Sequence, residues 1–187
     1  MTPLDPGIAL ILLAAGRSER FGGDKLAADY RGKPLWTWAA AAAEKAGFQH
    51  LYIVMAPHSS IAPDARWNRV LNAEAERGMG TSIAAGVAAA QAHERGVIAL
   101  ADMPRVRASH LRTLAQASGL LFTRQSDGKA GCPAAFDRAS FAQLRELDGD
   151  RGARILAGPD ADMVEPAAAD MLVDIDRRSE LDAENAR

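Results

Sequence analysis

The sequence predicts an α/β protein built on a mostly parallel sheet, and three observations carry that reading. Residues 8–13 (IALILL), 51–55 (LYIVM) and 97–101 (VIALA) are short apolar runs. A strand apolar on both faces belongs between two helix layers, where parallel sheets are buried. Stretches of helical character lie between these runs, as crossovers between parallel strands require. A chain of 187 residues can bury roughly 70% of its unfolded surface, enough for one full core. Residues 1–187 are therefore read as one domain.

The elements follow in order. Residues 8–13 form the first strand, which ends at Ala14-Ala15-Gly16. Residues 16–25 are polar and glycine-rich, hence a loop. Pro34 opens a helix, since proline is tolerated in a first turn. That helix runs through the alanine-rich stretch to Ala46, and Gly47 stops it. Residues 51–55 form the second strand, and residues 57–64, with two prolines and two serines, a loop or short helical turn. Val70-Leu71 forms a brief third strand. Gly78-Met79-Gly80 is a loop, and Thr81 or Ser82 caps a helix that ends near His93. Residues 97–101 form a buried strand ended by Asp102-Met103-Pro104. Residues 109–117 are helical, 120–123 a strand and 125–132 a polar turn or flexible loop. Residues 140–147 and 151–156 are helical, 171–175 a late strand and 179–186 a last helix. No fixed-period repeat is visible.

Composition narrows the function. Hydrophobic residues make up 48% and charged residues 25% of the chain, the mix of an ordered globular protein. Lys plus Arg is 22 against 24 for Asp plus Glu, so no basic excess is available for nucleic acid. Cys132 is the single cysteine, which excludes an internal disulfide and fits a reducing cytosol. The apolar run 8–15 is far shorter than the roughly 20 residues a bilayer span needs. Residues 1–7 carry no Lys or Arg to flank a signal peptide. The expectation is a cytoplasmic protein with no nucleic-acid or membrane partner.

Ligands of open parallel sheets bind outside the carboxyl ends of the strands, and three segments sit there. In the first, residues 13–25, small residues let backbone approach a ligand and exposed N–H groups can line an anion site. Arg20 and Lys25 add positive charge in the same loop, a combination that suits a polyphosphate. It also suits a solvated loop with incidental charges. The Gly-x-Gly-x-x-Gly and Walker A patterns are both missing. In the second, Asp102 ends a buried strand, where a carboxylate facing a phosphate loop is a good Mg²⁺ ligand; capping of the next turn is its ordinary alternative. The third, residues 78–82, can press flexible backbone against a flat base or bind an anion, or serve as a plain helix start.

Weaker candidates fall away. His50, His58, His93 and His110 show no metal-ligand spacing. The Gly-x-Ser-x-Gly elbow does not occur. Cys132 reads as an ordinary thiol, and Trp36, Trp38 and Trp67 as packing residues.

Taken in this order, the segments resemble the MobA-like nucleotidyltransferases, most closely the molybdenum cofactor cytidylyltransferases. Residues 13–26 resemble the family's nucleotide loop, Gly78-Met79-Gly80-Thr81-Ser82 its nucleobase and ribose segment, and Ala101-Asp102-Met103-Pro104 its metal segment. Gly131-x-Pro133-x-x-Phe136 and residues 149–154 resemble its acceptor side, and residues 173–176 its closing strand. Cys132 stands where the family often has His, and Arg177-Arg178-Ser179-Glu180 where Thr-Pro-Glu-Asp is common.

The resemblance implies a Rossmann-like three-layer fold of the glycosyltransferase-A type. It implies CMP transfer from CTP to the phosphate of molybdopterin, with release of pyrophosphate. Ala14-Ala15-Gly16 looks like the cytidylyl branch, the guanylyl branch usually having Ala-Gly-Gly. The implied nucleotide contacts are Leu13, Ala14, Ala15, Gly16, Arg17, Lys25, Gly78, Gly80, Thr81 and Ser82. Arg20, Lys25 and Asp102 are expected to be catalytic. Gly131, Pro133, Asp150 and Arg151 are expected on the acceptor side. Asp102 and Asp176, with Asp174 as fallback, are expected to hold Mg²⁺; Mn²⁺ suits the same oxygen ligands. Implied partners are CTP or another NTP, a molybdopterin-type acceptor, and a molybdoenzyme or its chaperone. A guanylyltransferase, a transferase for another phosphorylated small molecule and a non-catalytic cofactor-binding module are the alternatives.

Overall fold

The computed structural model describes residues 2–159 and 161–186. In chain order the strands are β1 (Ile8–Ala14), β2 (Asp29–Tyr30), β3 (Lys33–Pro34), β4 (His50–Met55), β5 (Trp67–Leu71), β6 (Arg95–Leu100), β7 (Leu121–Arg124), β8 (Ala130–Asp137) and β9 (Met163–Val164). The helices are α1 (Trp36–Ala46), α2 (Met79–Ala89), α3 (Ala108–Gln116), α4 (Phe141–Arg145) and α5 (Arg178–Asn185).

Seven strands form one sheet in the order β5-β4-β1-β6-β8-β7-β9, and β2 and β3 pair separately. β1 lies inside the sheet, parallel to β4 on one side and to β6 on the other. Only β8 runs against its neighbours β6 and β7. The mostly parallel α/β sheet expected from the apolar runs is the one observed.

Alternation along the strands divides the core into two layers. Leu10, Leu12 and Ala14 of β1 pack with Ala39 and Ala43 of α1, Leu111 and Leu114 of α3 and Leu181 of α5. Ala9, Ile11 and Leu13 pack on the other face with Ile83 and Val87 of α2 and with Phe141 and Leu144 of α4. Strands buried on both faces read as continuous apolar runs for this reason. Small residues bring the helices close. A Cβ at Gly86 of α2 would lie 2.5 Å from Ile11 Cγ2 and 2.9 Å from Val54 Cγ2, so the helix lies directly on the sheet there.

Several boundaries differ from the expectation. Pro34 belongs to β3, and α1 starts only at Trp36 because residues 33–34 pair with residues 29–30. The left-handed Gly47, φ 92°, does close that helix. The third strand begins at Trp67, whose buried indole donates to Glu44 Oε1 at 2.9 Å. Gly78 is the cap of α2, which puts Thr81 and Ser82 inside the first turn, and the helix ends at Ala89 rather than near His93.

Only residues 125–129 of the expected loop are turn; β8 starts at Ala130. Its Ala, Gly and Pro content carries little strand propensity, and ladders from β6 and β7 impose the extended form. Residues 171–175 are not a strand. A short 3₁₀ turn spans Ala169–Leu172, residues 173–176 are irregular, and the Ile175 N–H donates to the Asp102 carbonyl at 3.2 Å. That tie fastens the segment to the loop beyond β6 instead of to a sheet edge.

Candidate active site

β1 and β6 are parallel neighbours, so the loops that follow them emerge side by side. These loops, the start of α2, the turn at residues 148–150 and the segment 174–176 surround a cavity of about 400 Å³. It lies where open parallel sheets take ligands and is large enough for a small molecule.

One wall is Leu13, Ala14, Ala15, Gly16, Arg17 and Arg20, with Lys25 beneath. A Cβ at Gly16 would meet nothing within 4 Å, so packing alone does not demand glycine there. Gly78, Met79 and Ser82 supply a second wall from the start of α2, the helix end that carries positive partial charge. Asp102, Asp150, Asp174 and Asp176 also line the cavity.

Charge concentrates at one end. One carboxylate oxygen each from Asp102, Asp174 and Asp176 lie within 4.8 Å of one another. Lys25 Nζ lies 2.7 Å from Asp102 Oδ2 and 3.3 Å from Asp176 Oδ1, with only 8% of the side chain exposed. Arg20 Nη1 lies 3.2 Å from Asp176 Oδ2. Burial opposes the Lys25 charge, but Asp102, with Asp174 and Asp176, more than offsets it and holds the ammonium above its ordinary pKa of 10.5. Asp174, at the exposed rim, is pushed up to about 7 by desolvation of its carboxyl and then by the Asp102 charge.

These residues fit a divalent cation. Asp102 Oδ1 is buried and has no hydrogen-bond partner, which is costly for a carboxylate oxygen. Three clustered carboxylates form the hard oxygen donor set that Mg²⁺ and Mn²⁺ prefer. Asp174 belongs to the cluster as fully as Asp176 does. The Glu180 side chain fixes the segment by accepting the N–H groups of Asp176 at 2.7 Å and Arg177 at 2.8 Å.

The two α2 glycines serve close approach. The Gly80 N–H donates to the Gly149 carbonyl at 2.8 Å. A Cβ at Gly80 would lie 2.7 Å from the Asp148 nitrogen, and one at Gly78, φ 127°, would lie 2.4 Å from the Gly149 carbonyl carbon. The bare backbone lets the 148–150 turn dock on the start of α2, and Asp150 thereby reaches the cavity. Asn72, a residue with no local sequence signal, donates to Thr81 Oγ1 at 2.9 Å and Ser82 Oγ at 3.0 Å. Ser82 faces the cavity; Thr81 is buried beside it and borders a neighbouring groove instead.

Four other expected residues lie off the cavity wall. Gly80 packs on Asp148 as described. Gly131 packs on the Gln125 side chain, and Pro133 is buried in β8 with its carbonyl accepting from Thr123. Arg151 is exposed beyond Asp150. Cys132, between Gly131 and Pro133, feels the cluster: burial and the Asp102 charge push its thiol up to about 12. Met79 lines the cavity without having been singled out, because an apolar side chain between two glycines carries no chemical signal. Among the described residues no helix is long and apolar enough to cross a membrane.

Residues 10–164 match the MobA-like NTP transferase domain. The chain is 30% identical over 165 residues to purine catabolism protein PucB of Bacillus subtilis (strain 168), spanning 81% of this chain and 80% of that one. Among solved structures it is similar to Rv0371c from Mycobacterium tuberculosis H37Rv, with 25% identity, a TM-score of 0.78 and coverage of 96% and 98% of the two chains. The same protein solved as a complex with manganese gives 25% identity, a TM-score of 0.74 and the same coverage, 96% and 98%. The Methanothermobacter nucleotidyl transferase Mth528 shares the fold, with a TM-score of 0.81 at 21% identity over 96% of each chain.

Proposed function

The chain belongs to the MobA-like NTP transferase domain family and is a nucleotidyltransferase; from that premise we propose that it transfers CMP from CTP to the phosphate of a molybdopterin-type acceptor. The products are molybdopterin cytosine dinucleotide and pyrophosphate. The observation that carries the reading is the meeting, across one cavity, of the small-residue loop after β1 with a cluster of three carboxylates. The cytidylyl choice rests on Ala14-Ala15-Gly16, and the acceptor on the likeness of residues 131–136 and 149–154 to the family's acceptor side.

An acceptor phosphate is already an anion at neutral pH, so the reaction needs no strong protein base. Its oxygen forms a bond to the α-phosphorus while the α–β bridging bond breaks, and the electron pair leaves with pyrophosphate. The protein must hold the two anions in line and neutralise their charge. Backbone N–H groups of residues 14–17 and the Arg17 and Arg20 side chains receive the triphosphate. Lys25 keeps its proton through neutral pH and sets a fixed positive charge beside the leaving group. Fixed charges of this kind contribute several kcal/mol to a transition state. Gly78, Met79 and Ser82 face the base and ribose; Thr81 and Gly80 shape that wall. Asp150 receives the acceptor side, with the exposed Arg151 beyond it; Gly131 and Pro133, off the cavity wall, belong to the β8 strand behind it. Asp102, Asp174 and Asp176 would hold Mg²⁺ or Mn²⁺, which when bound offsets charge on the triphosphate. The manganese complex of Rv0371c supports a divalent cation in this fold. In this reading residues 1–187 act as one cytosolic unit, and the product passes to a molybdoenzyme or its chaperone.

Thermal unfolding with CTP, GTP, ATP and UTP, each with and without Mg²⁺, tests the donor. A ligand at 100 times its dissociation constant adds about 2.7 kcal/mol to stability. The expected result is a rise specific to CTP with Mg²⁺, then pyrophosphate release on addition of molybdopterin. A preference for GTP moves the donor to guanylyl transfer. CTP turnover on a different phosphorylated acceptor, with none on molybdopterin, overturns the acceptor.

A further inference from the structure

The carboxylate cluster is assembled from two distant parts of the chain. Asp102 comes from the turn after β6, whereas Asp174 and Asp176 come from the irregular segment that leads into α5. No strand ladder fixes that segment, and three carboxylates within 4.8 Å of one another repel. The backbone offers the Ile175 N–H bond to Asp102 at 3.2 Å. The Lys25 ammonium also bridges Asp102 and Asp176, at 2.7 and 3.3 Å, but it does so through the carboxylates that a cation would use. A hold on the segment that leaves those carboxylates to the cation has to come from outside the cluster.

We propose that Arg105 is the positioning residue that assembles the carboxylate cluster for its cation. Arg105 lies three residues after Asp102 and never touches the cluster itself. Its Nη1 meets Asp170 Oδ2 at 2.8 Å and its Nη2 meets Glu184 Oε2 at 2.5 Å. Its Nε lies 3.4 Å from the Tyr30 hydroxyl, which itself donates to Glu184 Oε2 at 3.3 Å. Asp170 precedes Asp174 and Glu184 follows Asp176, so one guanidinium holds both flanks of the segment that carries them. Only 17% of the Arg105 side chain and 7% of the Glu184 side chain are exposed, so this pair is shielded far better than a surface pair. A planar fork with donors in three directions can grip three partners at once; a lysine ammonium on a flexible stem grips less geometry.

Docking of α5 does not depend on Arg105 alone. The Arg31 N–H donates to Asn185 Oδ1 at 2.9 Å and Arg31 Nη2 to the Glu184 carbonyl at 3.2 Å. Asn185 Nδ2 donates to the Asp29 carbonyl at 3.0 Å, and Leu181 is buried in the core. The Arg31 side chain therefore offers a control: its Nη2 bond, the one that Arg31→Ala removes, fastens the same helix without touching the loop that carries Asp102.

The inference rests on the carboxylates being the cation site, and the test separates the two. Mn²⁺ binding to the full chain, without nucleotide, is followed by the electron paramagnetic resonance signal of free Mn²⁺, with folding checked by circular dichroism. Loss of an orienting group around a metal site typically weakens binding 10- to 100-fold. Arg105→Ala is expected to weaken Mn²⁺ binding by about tenfold or more, Arg105→Lys to recover part of the loss, and Arg31→Ala to stay near wild type. Asp170→Asn, at an exposed position, is the second variant should Arg105→Ala misfold; it is expected to weaken Mn²⁺ binding more than Arg31→Ala does. Wild-type Mn²⁺ affinity in folded Arg105→Ala, or equal losses in the Arg105 and Arg31 variants, would overturn the proposal and leave the cation site standing. No Mn²⁺ binding by the wild type would overturn both.

Discussion

Lys25 Nζ stands 2.7 Å from Asp102 Oδ2, and the two residues are 77 positions apart in the chain. The pair joins the loop after β1 to the loop after β6, and it is buried on the lysine side. Breaking a buried pair leaves one charge unmatched and typically costs 3–5 kcal/mol. Asp102 is 21% exposed and can recruit some water, so Lys25→Ala should destabilise the cation-free protein by about 3 kcal/mol, the low end of that range. The same substitution should lower kcat by at least a hundredfold, since the charge next to the leaving group is lost. It should also increase the stabilisation that Mg²⁺ gives, because the ammonium no longer neutralises the same carboxylates. Urea unfolding with and without Mg²⁺, together with turnover, checks all three. Near wild-type kcat would remove Lys25 from the catalytic group.

The Asp174 carboxyl predicts how stability follows pH. Its folded pKa of about 7 lies above the ordinary 3.8, chiefly through desolvation and then through Asp102. Between these values the folded chain keeps a proton that the unfolded chain has released. Stability from this group is therefore fully present below about pH 4 and is lost as pH rises through about 7. Melting temperatures of the cation-free protein should carry this downward component over that window, and Asp174→Asn should remove it. Protons and Mn²⁺ compete for the same carboxyl, so Mn²⁺ affinity should climb with pH and level off above 7. Identical pH slopes for wild type and Asp174→Asn would show that another group titrates.

Glycines on two sides of the cavity should respond in opposite ways. A Cβ at Gly80 would press into the Asp148 backbone at 2.7 Å, and one at Gly78 into Gly149 at 2.4 Å. Overpacking of this kind costs about 1–3 kcal/mol, and it would push Asp150 out of the cavity. Gly80→Ala and Gly78→Ala should therefore lose stability and raise KM. Gly16→Ala meets no atom within 4 Å, so its stability should stay within about 0.5 kcal/mol of wild type. Its methyl would stand on the cavity wall instead, and CTP affinity should fall. Chemical denaturation beside nucleotide titration separates the two classes.

The parts of the protein that the sequence made legible are those with local cause. Buried parallel strands such as β1 announce themselves as apolar runs, and Asp102 stands at the end of one. What stayed hidden depends on partners far along the chain. β8 is extended because β6 and β7 pair with it, although Gly131 and Pro133 suggest a turn. Residues 171–175 read as a short, mostly apolar strand yet cross to the loop beyond β6, where Ile175 bonds to Asp102. Asn72 and Arg105 are invisible for the same reason: a polar residue shows nothing of its role until Ser82 or Glu184 is beside it. Gly78 and Gly80 read as base contacts, while their packing on the 148–150 turn is a tertiary fact.

Cys132 stands where a histidine is common in the family, so whether it takes part in chemistry is a sharp question. A thiol attacks as its thiolate. Burial and the Asp102 charge push Cys132 up to about 12, which leaves almost none ionised at neutral pH. Cys132→Ser should accordingly keep kcat within a few-fold of wild type. Iodoacetamide at pH 7.5 should label the native protein slowly and the urea-unfolded protein fast, since unfolding removes both the burial and the neighbouring carboxylate. The same rise argues against the thiol as a base at neutral pH, because it stays protonated there. A large fall in kcat for Cys132→Ser at unchanged stability, with rapid native labelling, would show that bound substrate lowers the thiol pKa and brings Cys132 into the reaction.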